Sequence, residues 1–268
     1  MSYTLTTLLI HVENQNPDVQ TRINLKGIAI GNGWTDPYRQ YEYGPLLYQI
    51  GLIDDQQLFY FNLQSSLLRY AISQNRFLDA FYISDALIDG DLINTTTYFA
   101  QVTGLKSSSN ILLTSDPPGI FDFVPFITQA YRRKQIHVGN KTFNDGVHVE
   151  ELMINNIFQS VPELKLQVLF DNYKVLVYSG LLDITCAHKL TLNWVSALQW
   201  SRADEFRRAP RLIWKVEPTD AEVAGYVQTA GQFTLASIRN AGHMVPSDQP
   251  RAMFDLLQRF LLHLTLDN

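Results

Sequence analysis

The chain has 268 residues, of which 46% are hydrophobic and 18% are charged, a balance typical of a globular protein with a sizeable core. Its net charge of -5 and its pI near 5.6 exclude a basic surface for nucleic acid, and no apolar run near the start is long enough to cross a bilayer. We therefore expect neither nucleic acid nor a membrane as a partner. No signal-peptide pattern is present, so no localisation is assigned.

The first predicted elements are the end of a helix over residues 5–12 and a strand over residues 23–31. From about residue 41 to residue 160 the apolar spacing becomes helical, with segments at 56–68, 77–87 and 149–158. Residues 107–118, rich in Ser, Asp and Pro, predict a loop inside this block. We interpret the block as a helical insertion into a sheet domain that covers residues 1–268.

The strand pattern returns after residue 160. We predict a buried strand at 174–180, a helix at 188–200, a hairpin from 211–216 and 222–228, a strand at 233–239 and a closing helix at 249–264. This alternation of strands and helices predicts an α/β fold.

Two polar residues follow predicted strands, at the edge where α/β sheets place their sites. Asp183 follows the strand at 174–180, and His243 comes 60 positions later, after the strand at 233–239. Acid before base is the chain order of α/β-hydrolase triads, in which the serine comes earliest. Spacing alone leaves two plainer alternatives open: Asp183 as a turn former or helix N-cap, and His243 as an ordinary loop residue.

No residue completes a triad with this pair. The Gly-x-Ser-x-Gly pentapeptide of a nucleophile elbow does not occur in the 268 residues. Ser2 has no strand or glycine before it, Ser179 lies in a strand end, and Cys186, the single cysteine, is better explained as a buried thiol. We predict no nucleophile in this sequence.

Cofactor and metal patterns are missing as well. The six histidines form no His-Glu-x-x-His motif, no cysteines are paired, and the glycines at 27, 31 and 33 match no phosphate-loop spacing. We expect no metal and no cofactor. Asn94 and Asn140 begin Asn-x-Thr triplets and are candidate glycosylation sites if the chain is secreted.

Several long segments together resemble serine carboxypeptidases, and most closely those of the vitellogenic type. They include residues 23–37 (INLKGIAIGNGWTDP), 48–56 (YQIGLIDDQ), 80–92, 135–146 (QIHVGNKTFNDG), 175–185 (VLVYSGLLDIT) and 224–250 (AGYVQTAGQFTLASIRNAGHMVPSDQP). The resemblance runs from about residue 20 to the end of the chain. It implies an α/β-hydrolase fold, truncated at its N-terminus, with a helical cap insertion.

The resemblance also implies roles for individual residues. Asp183 is expected to be the triad acid, His243 the general base, and Met244 a residue lining the pocket for the last side chain of the peptide. The family removes single C-terminal residues from peptides through an acyl-enzyme, usually at acidic pH and without a cofactor. Its serine lies in a Gly-Glu-Ser-Tyr-Ala-Gly segment that would fall before Met1, and Leu105 and Thr114 stand where similar members carry cysteines.

Three interpretations remain at this stage. The sequence belongs to a serine carboxypeptidase that acts on peptide or protein C-termini in its full-length form, or to a truncated paralogue that binds without hydrolysis, or, more weakly, to another α/β-hydrolase such as an esterase. A sheet without its early strands would expose an edge, so we also expect self-association through that edge.

Overall fold

The computed structural model describes residues 10–92, 95–117, 122–144, 146–161 and 163–262. Asn94 and Ser2 lie outside these ranges, and so does most of the helix predicted at residues 5–12. Residues 10–12 of that prediction are described, and they lie in a helical segment that continues to residue 15.

The centre of the fold is a five-stranded sheet in the order β1-β2-β5-β4-β3. Its strands are β1 Gly27–Gly31, β2 Lys174–Gly180, β3 Leu212–Trp214, β4 Gly225–Ala230 and β5 Phe233–Ile238. Strands β1, β2 and β5 run parallel, whereas β4 pairs antiparallel with both β5 and β3. The parallel strands β2 and β5 therefore end at the same edge of the sheet.

Both faces of the sheet are covered. Val175 and Val177 of β2 face a cluster that contains Phe170 and Trp194 from neighbouring helices, whereas Leu176 faces the cluster on the other side. All six residues of β5 are buried, as expected of a central strand with helices on both faces. The predicted α/β fold class is confirmed.

Among the described residues between β1 and β2, the regular elements are all helical. They are Pro37–Gln40, Tyr43–Gln49, Asp55–Ser73, Phe77–Ser84, the π-helical turn Asp85–Asp89, Tyr98–Thr103, Val124–Ile127, Ala130–Gln135, Val147–Met153 and Glu163–Asn172. The longest begins at a capping box, in which Asp54 accepts from Gln57 N–H and the Gln57 side chain accepts from Asp54 N–H. Tyr41, Phe61 and Phe81 are among the residues that form the core of this region.

The remaining helices are His188–Ala197, Ala203–Arg208, Val245–Asp248 and Pro250–Leu262. The predicted elements are present, but several are shorter than expected. Strand β1 starts at Gly27 rather than Ile23, because a Leu25 N–H to Ile23 carbonyl bond turns the chain just before it. Within the part of the chain that the structure describes, no helix is both long and apolar enough to span a membrane.

Candidate active site

The segments that follow β2 and β5 are packed directly against each other. Leu182 N–H donates to the Ala241 carbonyl at 2.8 Å. A Cβ atom on Gly180 would lie only 2.2 Å from the Gly242 carbonyl oxygen, so the last residue of β2 has to be glycine for the two segments to meet. Parallel strand pairing and this close approach together bring Asp183 to His243.

Asp183 and His243 form a hydrogen bond, the pairing that the family resemblance implied and that their positions alone left open. His243 Nδ1 lies 3.0 Å from Asp183 Oδ2. The Asp183 side chain is fully buried, whereas about a third of the His243 side chain (34%) is exposed. A buried carboxylate paired with a partly exposed imidazole is the arrangement by which an acid orients a general base toward a substrate.

Two further donors face the Asp183 carboxylate. Asn32 Nδ2 donates to Oδ2 at 2.5 Å, and the Cys186 backbone N–H donates to Oδ1 at 3.2 Å. Because an ionised carboxylate only accepts hydrogen bonds, all three neighbours are matched to the charged form of Asp183.

Sequence reasoning missed Asn32. It follows β1 at the same edge of the sheet as Asp183 and His243, with φ at 46°. The rule that selected the polar residues after β2 and β5 also applies to the residue after β1, so the signal was available in the Gly31-Asn32-Gly33 turn.

A loop of the helical region is hydrogen-bonded to the backbone of both segments, the one that follows β2 and the one that follows β5. His243 N–H donates to the Ser109 carbonyl at 2.6 Å, and the N–H groups of Ile184 and Thr185 donate to the Ser108 carbonyl at 3.0 and 3.1 Å. Through Ser108 and Ser109, the loop predicted at residues 107–118 therefore connects the segment that carries Asp183 to the segment that carries His243.

The pKa of His243 is raised above its ordinary value. Partial burial lowers it, but the hydrogen bond and the negative charge of Asp183, together with the charge of Asp116, outweigh that effect. Because an imidazole acts as a base only in its neutral form, a raised pKa shifts the pH at which His243 can accept a proton upward.

Met244 and Asn140 are both accessible. Met244 follows the base directly and is 47% exposed, so its side chain is free to contact a ligand. Asn140 is exposed as well, which a glycan acceptor needs. The pocket role of Met244 and the glycosylation of Asn140 both stay predictions.

Ser179 and Cys186, the candidate nucleophiles near this edge, are both buried. Ser179 Oγ bonds His188 Nδ1 at 2.8 Å, but Ser179 is fully buried, and burial together with the charge of Arg211 lowers the pKa of His188 to about 4. The Cys186 thiol is buried and has a raised pKa, first because of burial and then because of Asp183 and Asp89. Among the described residues, His243 bonds no serine hydroxyl, and no cluster of ligands for a metal ion is found.

Comparison with known proteins identifies the family of the chain. The model of the serine carboxypeptidase family matches residues 4–263. The chain belongs to the serine carboxypeptidase family. This assignment confirms the resemblance found in the sequence, including its similarity to the vitellogenic type.

Individual relatives are similar over most of this chain. The probable serine carboxypeptidase CPVL of Homo sapiens is 41% identical over 254 residues, covering 94% of this chain and 53% of the human protein. The venom serine carboxypeptidase of Apis mellifera is 39% identical (93% and 53% covered), and the vitellogenic carboxypeptidase of Aedes aegypti is 36% identical (91% and 52% covered). The chain thus spans about half the length of the curated relatives it matches.

A solved structure supports the fold. A prohormone-processing carboxypeptidase of Saccharomyces cerevisiae superposes with a TM-score of 0.64 at 21% identity, covering 98% of this chain and 60% of the yeast chain. The α/β-hydrolase fold expected of a serine carboxypeptidase is thereby confirmed.

Proposed function

We propose that Asp183 and His243 are the acid and the general base of a serine carboxypeptidase that releases single residues from the C-termini of peptides or proteins. The observation that carries this proposal is the 3.0 Å bond between His243 Nδ1 and the fully buried Asp183 carboxylate. Family membership and the names of the relatives support the same activity.

The geometry gives each residue of the pair a definite task. With Nδ1 bonded to Asp183, the neutral imidazole of His243 carries its proton on Nδ1 and accepts the serine proton on Nε2. The serine oxygen then bonds the carbonyl carbon of the last peptide bond. His243 gives the proton to the nitrogen of the last residue as the C–N bond breaks, which leaves the shortened peptide as an ester on the serine. Water then attacks this ester with His243 as the base, and the ester C–O bond breaks as the serine oxygen takes the proton back. Asp183 stabilises the imidazolium at each stage.

The nucleophile for this step is expected in a Gly-Glu-Ser-Tyr-Ala-Gly segment, which the 268 residues do not contain. A second candidate function is that of a truncated paralogue, which binds peptide C-termini without cleaving them. Exposed Met244 beside His243 would remain available for such contact.

Reading the transcript upstream of the present sequence separates the two candidates. We expect an in-frame Gly-Glu-Ser-Tyr-Ala-Gly segment, and we expect the protein from the extended frame to react with a fluorophosphonate probe at that serine. His243→Ala should abolish the reaction, whereas His148→Ala, a change at an exposed histidine, should leave it intact.

The 268-residue chain by itself should not react, because a base without its nucleophile and oxyanion donors has little reactivity. Labelling of this chain that depends on His243 would contradict the assignment of the nucleophile. An extended frame without the serine segment would favour the binding protein over the enzyme.

A further inference from the structure

Asn32 and His243 converge on one oxygen of Asp183. Asn32 Nδ2 lies 2.5 Å and His243 Nδ1 lies 3.0 Å from Asp183 Oδ2. Rotation of the carboxyl group away from His243 would therefore also break its bond to Asn32. We propose that Asn32 is a positioning residue, which keeps Asp183 Oδ2 turned toward His243 and so holds the imidazole in the tautomer that a general base needs.

The orientation of the Asn32 amide follows from the chemistry of its neighbour. The reverse orientation would place Asn32 Oδ1 against Asp183 Oδ2, and two acceptor oxygens repel each other at that distance. The NH₂ group therefore faces Asp183, and Oδ1 points away from it.

Turn geometry alone does not explain this asparagine. Asn32 is only 6% exposed, and its Oδ1 is buried without a hydrogen-bond partner among the described residues, which is unfavourable. Glycine adopts a φ of 46° more easily and would bring no unpaired oxygen into the interior. The bond to Asp183 is what the asparagine side chain supplies and glycine does not.

Two other asparagines show the contrast. Asn75 and Asn240 also have positive φ angles, both 56°, yet both are exposed and occupy plain turns. Asn32 alone of these three is buried and bonded to a carboxylate of the active site.

Asn32→Gly is the decisive change, because glycine keeps the backbone conformation and removes only the side chain. The readout is the ¹⁵N spectrum of histidine-labelled chain across a pH series, recorded in solution or in the solid state, with His243→Gln to assign the signal. We expect His243 to lose its predominance of the Nδ1–H tautomer. Its pKa should fall toward the ordinary value, since a freely rotating carboxylate contacts Nδ1 less often.

Asn75→Gly is the matched control, and it should leave both properties of His243 unchanged. Asn32→Asp provides a second test that preserves side-chain size. At this distance two carboxyl groups share one proton, so the protonated side chain at position 32 can donate to Asp183 Oδ2 as the amide does, and the Nδ1–H tautomer of His243 should persist.

The inference is overturned if Asn32→Gly leaves the tautomer and the pKa of His243 as they were, or if the pKa rises while the Nδ1–H tautomer persists. It is also overturned if Asn32→Asp, which keeps a donor to Asp183, alters the tautomer of His243 as much as Asn32→Gly does. This inference rests on the proposed role of the pair, but the readout needs no hydrolysis. Failure here leaves the carboxypeptidase proposal standing, and absence of a nucleophile leaves this inference standing.

Discussion

Gly242→Ala tests whether the loop around Ser109 stabilises the position of the segment that carries His243. A Cβ atom at position 242 would lie 2.3 Å from the Ser109 carbonyl oxygen and 2.7 Å from Asn110 Cβ, whereas ordinary contact begins at 3.4 Å. The loop would have to retreat by about 1 Å to restore van der Waals contact. That movement would break the 2.6 Å bond from His243 N–H to the Ser109 carbonyl.

The cost can be estimated from these contacts. Overpacking of a rigid site costs about 1–3 kcal/mol, and the lost hydrogen bond adds about 1 kcal/mol, so we expect Gly242→Ala to lower the free energy of unfolding by about 2–4 kcal/mol. Gly242 has no positive φ, so the loss comes from contact alone. Gly104→Ala, which meets no atom within 4 Å but has φ at 74°, should cost about 1 kcal/mol through backbone strain.

Urea unfolding at a fixed chain concentration measures both variants, since self-association would contribute to the apparent stability. Gly242→Ala should also change the ¹⁵N signals of His243, whereas Gly104→Ala should not. A Gly242→Ala chain within about 0.5 kcal/mol of the unmodified one, a change typical of a neutral surface substitution, would refute the role given to this loop.

Three further predictions concern charge and assembly. Asp183→Asn should lower the pKa of His243 in an NMR titration, because the negative charge beside the imidazole is removed. It should also destabilise the chain by about 2–4 kcal/mol, because one or two buried donors lose their acceptor. An unchanged pKa of His243 would contradict its hydrogen bond to Asp183. Loss of hydration and nearby carboxylates raise the pKa values of Asp89 and Glu150 to about 7. Between about pH 4 and 7 these two carboxyl groups hold protons in the folded chain that they lose in the unfolded chain, whereas the lowered pKa of His188 acts in the opposite direction. Two carboxyl groups outweigh one histidine, so the urea midpoint should fall as the pH rises through that range. The double change Asp89→Asn and Glu150→Gln should make the midpoint less dependent on pH. An unchanged pH dependence would contradict the role of these two carboxyl groups. Finally, β1 has no strand partner on its outer side among the described residues, so light scattering should show self-association, and a monomer with a cooperative melt would count against it.

The central strands could be predicted because burial leaves a strong pattern. Residues 174–180 form β2 as expected, since a short apolar run closed by a turn is typical of a parallel strand covered on both faces. The same reasoning placed Asp183 and His243 after two strands that end at one edge of the sheet. Parallel pairing of β2 with β5 then converts 60 positions of separation into a 3.0 Å hydrogen bond.

Other features depend on contacts between distant segments, which local patterns do not encode. The bonds from the loop at residues 107–117 to the backbones of Ile184 and His243 join elements far apart in the chain. The π-helical turn Asp85–Asp89 continues a helix that the spacing predicts as regular over 77–87. Asn32 follows a predicted strand, but only the pairing of β1 with β2 brings its side chain to Asp183.

The most direct test of the proposed role of Asp183 and His243 is the release of C-terminal residues by the protein from the extended reading frame. Peptides incubated with it should shorten by one residue at a time, as followed by mass spectrometry. His243→Ala should reduce kcat/KM by at least about 10³-fold, the scale on which loss of a triad member acts, whereas His148→Ala should leave it unchanged. Peptide shortening that persists in the His243→Ala protein would contradict the assignment of the general base.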